Sequence, residues 1–261
     1  ILKFPVVPVN KSGSSGTIAG TYVYKAKKDG YTLLAGSQGW FFGSIIYEVI
    51  YDPLKDFIPI ANCHIVPHAL CVKKDSPLKT LEDFVDKAKK DPKIPVGTPG
   101  LGGDSYFNLQ VLLRAAGIQI KHVPFKGVGD LPPALLGGHI DVGIGPASAW
   151  MPFAKSSDVR VLGITSRMKD LPDVPTFQER GFRGRYFDNW AGVFAPAGVP
   201  QNVIDTLVEA TDKMQKSKEY IESTEKTGCV IRYMMHAELL KHLEEDRKVV
   251  EPMARELGIK K

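Results

Sequence analysis

The chain has 261 residues and is 43% hydrophobic, enough to bury one sizeable core or two smaller ones, which sets aside disorder and fibre. Its 34 Lys and Arg against 29 Asp and Glu leave a net charge of +5. The basic residues are interspersed with acids, so nucleic-acid binding has little support and a mild preference for small anions fits equally well.

Short β-rich runs alternate with helical patterns along most of the chain, the signature of an α/β protein with mostly parallel sheets flanked by helices. Strands are predicted at Val6–Val9, Tyr31–Ala35, Phe57–Ala61, Ala69–Lys73, Ile94–Gly97, Ile120–Val123, Ile140–Ile144 and Val159–Thr165. Most are short and apolar, as strands covered on both faces must be.

Among the helices, Thr80 and Asp83 form a capping box ahead of Leu81, Phe84, Val85 and Ala88, whose spacing puts them on one face. Pro200 marks a second helix start, with Val203, Leu207, Ala210 and Met214 along one side. A long final helix is predicted from Ala237 to about Leu257, facing the core with Leu240, Leu243, Val250 and Leu257 and kinked by Pro252. No flexible linker divides the chain, so two lobes would be joined by ordered crossings, for which the Pro-flanked stretches Pro67–Lys73 and Asp188–Pro196 are suited.

Glycine and serine recur where strands end and helices begin, in Ser37-Gln38-Gly39 after Gly36, in Gly97 to Ser105, and in Lys126-Gly127-Val128-Gly129. Such turns leave backbone N–H groups at a helix N-terminus, where the dipole and the missing side chains let an anion approach. Glycine is also the commonest solution to a tight turn, so one loop alone carries little weight; three of one kind point to an anion pocket at the carboxyl ends of the strands.

Enzyme signatures are missing. There is no phosphate-binding G-x-x-x-x-G-K-[ST], no complete G-x-G-x-x-G, and no G-x-S-x-G nucleophile elbow. His64, His68, His122, His139, His236 and His242 show no metal-ligand spacing, so no metal or other cofactor is expected. Cys63, Cys71 and Cys229 are too scattered for a disulfide framework and read as buried small hydrophobes. No run approaches the roughly 18 to 20 apolar residues of a membrane-spanning helix. With no initiator Met and no leader pattern, the sequence is expected to be processed or trimmed at its start.

Seven segments in register give the chain a family likeness: Asn10–Gly20, Asp29–Ser37, Tyr51–Pro59, Val123–Gly127, Leu135–Asp141, Leu171–Phe177 and Phe194–Pro200. Together they resemble the Bug family of substrate-binding proteins of tripartite tricarboxylate transporters. The resemblance implies a two-lobed type II periplasmic binding fold, with residues 1–70 and 190–261 in one lobe and 71–189 in the other. It also implies a strand, a glycine-rich loop and a helix preceding Ile1. The implied protein is a periplasmic monomer that is not an enzyme, holds a small organic acid between its lobes and delivers it to membrane permease subunits.

Carried over by position, the ligand-binding residues are Ser37, Gln38, Gly39 and Trp40 in one lobe, and Thr98, Gly100, Gly102, Gly103, Asp104, Ser105, Lys126, Gly127, Ala147 and Ser148 in the other. The ligand class spans mono- and dicarboxylates, aromatic acids and amino acids. Gly145-Pro146 stands where the family often has Asp-Asn, and Asp104 where it has a neutral Thr or Ser. Asp104 either caps its own helix or pairs with the ammonium of an amino-acid-like ligand. Trp40 and Trp190 either wall the pocket or pack in a core. A metabolite sensor and an enzyme relying on Asp104 or Lys126 are the competing functions.

Overall fold

The computed structural model describes residues 5–227 and 229–260. The chain divides into two compact units, residues 1–65 with 190–261 and residues 66–189; the class is α/β, two sheets flanked by helices.

Unit 1 carries α1 (Thr17–Tyr24), β1 (Leu34–Ser37), α2 (Gln38–Ile46) and β2 (Phe57–Val66), then β8 (Asn189–Pro196), α7 (Gln201–Gln215), α8 (Lys218–Lys226), β9 (Met234–Met235) and α9 (His236–Glu256). Its sheet has the order β1-β8-β2-β9, with antiparallel β1–β8 and β2–β9 ladders. Ile60, Ala195, Val199, Ile204 and Leu207 form one core cluster. An aromatic cluster joins Trp40 to Phe57 at 5.1 Å and to Phe194 at 4.9 Å, both edge-on, the geometry that ring quadrupoles favour.

Unit 2 carries β3 (His68–Lys73), α3 (Leu81–Lys90), β4 (Pro95–Pro99), α4 (Asp104–Ala116), β5 (Lys121–Phe125), α5 (Leu131–Leu136), β6 (Val142–Pro146), α6 (Ala147–Lys155) and β7 (Val159–Ile164). Its sheet has the order β5-β4-β6-β3-β7. β5, β4 and β6 are parallel, and β3 runs against both β6 and β7. This sheet is therefore mostly parallel, as expected, with β3 reversed. The physical reason is that β3 is a crossing strand: its first residue, His68, pairs with Pro146 at the carboxyl end of β6, so it enters from the end where the βα strands finish and must run backwards.

Local signals set the helices. The Thr80–Asp83 capping box forms as the sequence predicts, and α7 begins directly after Pro200. On α9 the buried positions are Leu239, Leu243, Asp246, Val250, Met253 and Ala254, so the inward face is turned from the predicted one, and Leu240 and Leu257 are half-buried. Val6–Val9 is irregular and exposed, Val6 at 77%: Pro8 lacks the N–H that a ladder there would require. The strand predicted at Tyr31 begins at Leu34, because Tyr31 N–H donates to Asp29 Oδ1 at 3.0 Å and closes a turn.

Candidate functional site

In unit 1 the turn from β1 into α2 is built by Ser37, whose hydroxyl accepts from Trp40 N–H at 3.4 Å as the helix cap. Gln38 is fully buried and donates from Nε2 to the buried Asp246 Oδ2 at 3.2 Å, which ties the turn to α9. The Trp40 indole is in the core and donates to Tyr51 Oη at 2.9 Å. What the turn presents outward is therefore backbone. As the second residue of α2, Gly39 has no carbonyl a full turn earlier in the helix to receive its N–H.

Against this turn lies a loop that the sequence singled out only as a family marker. Gly13, Ser14, Ser15 and Gly16 all have positive φ, at 126, 45, 55 and 94°. The two serines adopt a conformation that costs non-glycine residues about 1–3 kcal/mol each, and such strain concentrates at functional positions. Gly16 is left-handed and Thr17 right-handed; Gly16 N–H donates to Gly13 O at 2.9 Å and Thr17 N–H to Ser14 O, so the loop's own carbonyls take both donors. The loop sits close to α2: a Cβ on Gly43 would be 3.0 Å from Ser15 Cβ, and one on Gly39 would be 3.8 Å from Ser15 O.

In unit 2 the carboxyl ends of β4, β5 and β6 lead into the other predicted site residues. Thr98 is fully buried; its hydroxyl donates to Gly100 O at 3.0 Å and meets His122 Nε2 at 2.7 Å. With its one proton used on Gly100, Thr98 accepts from Nε2–H, and burial lowers the His122 pKa, favouring that neutral ring. Gly100 and Gly102 are left-handed, and Gly103 is the N-cap of α4.

Several predicted donors are already engaged inside the unit: Gly100 N–H with Phe125 O at 2.7 Å, Gly127 N–H with Asp130 Oδ2 at 3.2 Å, Ser105 N–H with Asp104 Oδ1 at 2.8 Å, and Ala147 N–H with Pro67 O at 2.7 Å. Gly100 and Gly127 contribute space instead, since a Cβ on either would meet nothing within 4 Å. Lys126 is exposed. Ser148, half-buried, is the second residue of α6, and its N–H has no helical acceptor.

Asp104 opens α4 as its first residue. Its Oδ1 lies 3.4 Å from Nε2 of the fully buried His68 and accepts from Ser105 N–H, and its Oδ2 accepts from Asn189 Nδ2 at 2.6 Å. Burial raises its pKa, but the nearby His68, the Asn189 amide and the Ser105 N–H outweigh burial and hold it at about 2. His68 N–H donates to Thr165 Oγ1 at 2.8 Å, and Thr165 passes its proton to Asp188 Oδ1 at 2.6 Å. Among the described residues no group of three or more His, Cys, Asp and Glu is placed to hold a metal, and no helix is long and apolar enough to cross a membrane.

Residues 1–259 match the family model described as tripartite tricarboxylate transporter family receptor, TctC. The chain belongs to this receptor family. A UPF0065 protein of Cupriavidus necator, from the gbd 5′ region, is 29% identical over all of this chain and 80% of its own length. A TctC solute-binding protein from Polaromonas superposes with a TM-score of 0.86 at 25% identity, over 95% of this chain and 86% of its own. MatC from Rhodopseudomonas palustris, solved with bound malate, superposes with a TM-score of 0.74 at 28% identity, over 92% and 84%. The TctC receptors thus share both the sequence pattern and the fold of this chain.

Proposed function

We propose that this receptor captures a small organic carboxylate in the periplasm, hands it to membrane permease subunits and catalyses nothing. The observation that carries the reading is the repeated junction of a strand end, a glycine- or proline-bearing turn and a helix N-terminus, at Gly39 in unit 1 and at Ser148 in unit 2, in a chain of the TctC family. An N–H at such a terminus, aided by the helix dipole, stabilises an anion by about 0.3–1 kcal/mol, more when partly buried. Several such N–H groups must act on one carboxylate.

A catalytic reading requires a titrating group poised near neutral pH. Asp104, held at about 2, is a fixed anion across the physiological range and suits charge recognition better than proton transfer.

The test is a thermal-shift screen of organic acids. A ligand that binds only the folded state stabilises it by about 2.7 kcal/mol at a hundredfold excess over its dissociation constant. A concentration-dependent rise in Tm with at least one carboxylate is expected; no rise with any carboxylate defeats the reading.

A further inference from the structure

The N-terminus of α4, where an external anion would be expected to bind, is already occupied by an anion of the protein's own. Asp104 is the first residue of α4, and its carboxylate takes the Ser105 N–H, the Asn189 amide and the approach of His68. A carboxylate offers about four acceptor positions; two carry hydrogen bonds, His68 approaches at 3.4 Å, and the side chain keeps 13% of its surface open. His68 is fully buried and aimed at Asp104 from 3.4 Å, yet Nδ1 and Nε2 have no hydrogen-bond partner of good geometry, and the fully buried Ser105 Oγ also lacks one.

The second half of the argument is adjacency within unit 2. His68 pairs with Pro146, the N-cap of α6, while Pro67 O holds the Ala147 N–H. The helix end that offers the Ser148 N–H to an anion thus lies beside the residue that contacts Asp104.

Resting on the carboxylate-receptor reading above, we infer that Asp104 is the specificity-determining residue and that the ligand is a zwitterion, a carboxylate carrying an ammonium that Asp104 accepts, with dicarboxylates rejected. A second carboxylate placed at Asp104 would meet like charge in a largely dehydrated setting, whereas an ammonium gains a charge-assisted hydrogen bond.

The experiment is calorimetric titration of the full chain and of Asp104→Asn with two probe sets: the amino acids together with 4-aminobutyrate, and the dicarboxylates succinate, malate and adipate. The inference expects at least one amine-bearing probe to bind the unaltered protein, its affinity to fall roughly tenfold to a hundredfold in Asp104→Asn, the size of one charge-assisted hydrogen bond, and dicarboxylate affinity to rise in the variant. Dicarboxylates binding the unaltered protein as tightly as any amine-bearing probe overturn the inference and leave the receptor reading standing. Failure of every carboxylate in both sets overturns the reading and the inference together. The comparison on the unaltered protein needs no variant, so it decides the matter even where Asp104→Asn folds poorly.

Discussion

Gln38 Nε2 and Asp246 Oδ2 meet at 3.2 Å inside unit 1, both residues almost wholly buried, joining the first turn of α2 to the middle of α9. A partner lost here leaves a carboxylate under-solvated, and such a loss costs about 1–3 kcal/mol. Gln38→Ala should destabilise the protein by that amount, and Gln38→Glu by more, since two carboxylates then face each other. Urea unfolding midpoints measure both.

Gly20 decides between two opposed effects. It lies inside α1, where alanine is favoured by about 1 kcal/mol. A Cβ there would strike the Tyr51 hydroxyl and come within 2.5 Å of Trp40 Nε1, against the hydrogen bond that orders the aromatic cluster. Overpacking of this kind costs about 1–3 kcal/mol, so Gly20→Ala should lower Tm despite the better helix former; a rise would show that the cluster yields easily.

Asp104 sets an acid limb of stability. Its pKa in the folded protein, about 2, lies below the unfolded value of roughly 3.9, a difference worth about 2 kcal/mol. Because the folded value is the lower one, this contribution is complete above about pH 4 and is lost as pH falls toward 2. Asp104→Asn should therefore be less stable than the unaltered protein at pH 6, with the gap closing by pH 2.5. Unfolding curves at pH 6, 4 and 2.5 test this, and a gap independent of pH contradicts it.

Gly127 separates ligand effects from folding effects. Its φ of −153° suits any residue and a Cβ there meets nothing within 4 Å. Gly127→Ala should leave Tm within about 0.5 kcal/mol of equivalent stability. A lower carboxylate affinity in the same variant, read by titration, would mean that the open space beside Gly127 belongs to the ligand.

What could be read from the sequence was local. The Thr80 capping box, the start of α7 after Pro200 and the crossing stretches at Pro67–Lys73 and Asp188–Pro196 each depend on a few neighbouring residues. Long-range pairings left no such trace. The choice between Leu239 and Leu240 on α9 is set by which helix packs against it. Gln38 looks like an exposed turn residue until Asp246 arrives from α9, and His68 has no local sign of its pairing with Asp104. Glycine turns marked the strand-to-helix junctions, but the turn residues alone did not say which N–H groups, such as those of Gly100 and Gly127, are consumed inside the unit.

The central claim is that main-chain amides at helix starts hold the ligand carboxylate, and amide NMR on the ¹⁵N-labelled chain tests it most directly. On saturation with a carboxylate found by thermal shift, the signals of Gly39 and Ser148 should move downfield as their N–H groups gain an anionic acceptor. Binding that leaves both signals in place while perturbing residues elsewhere would contradict the account.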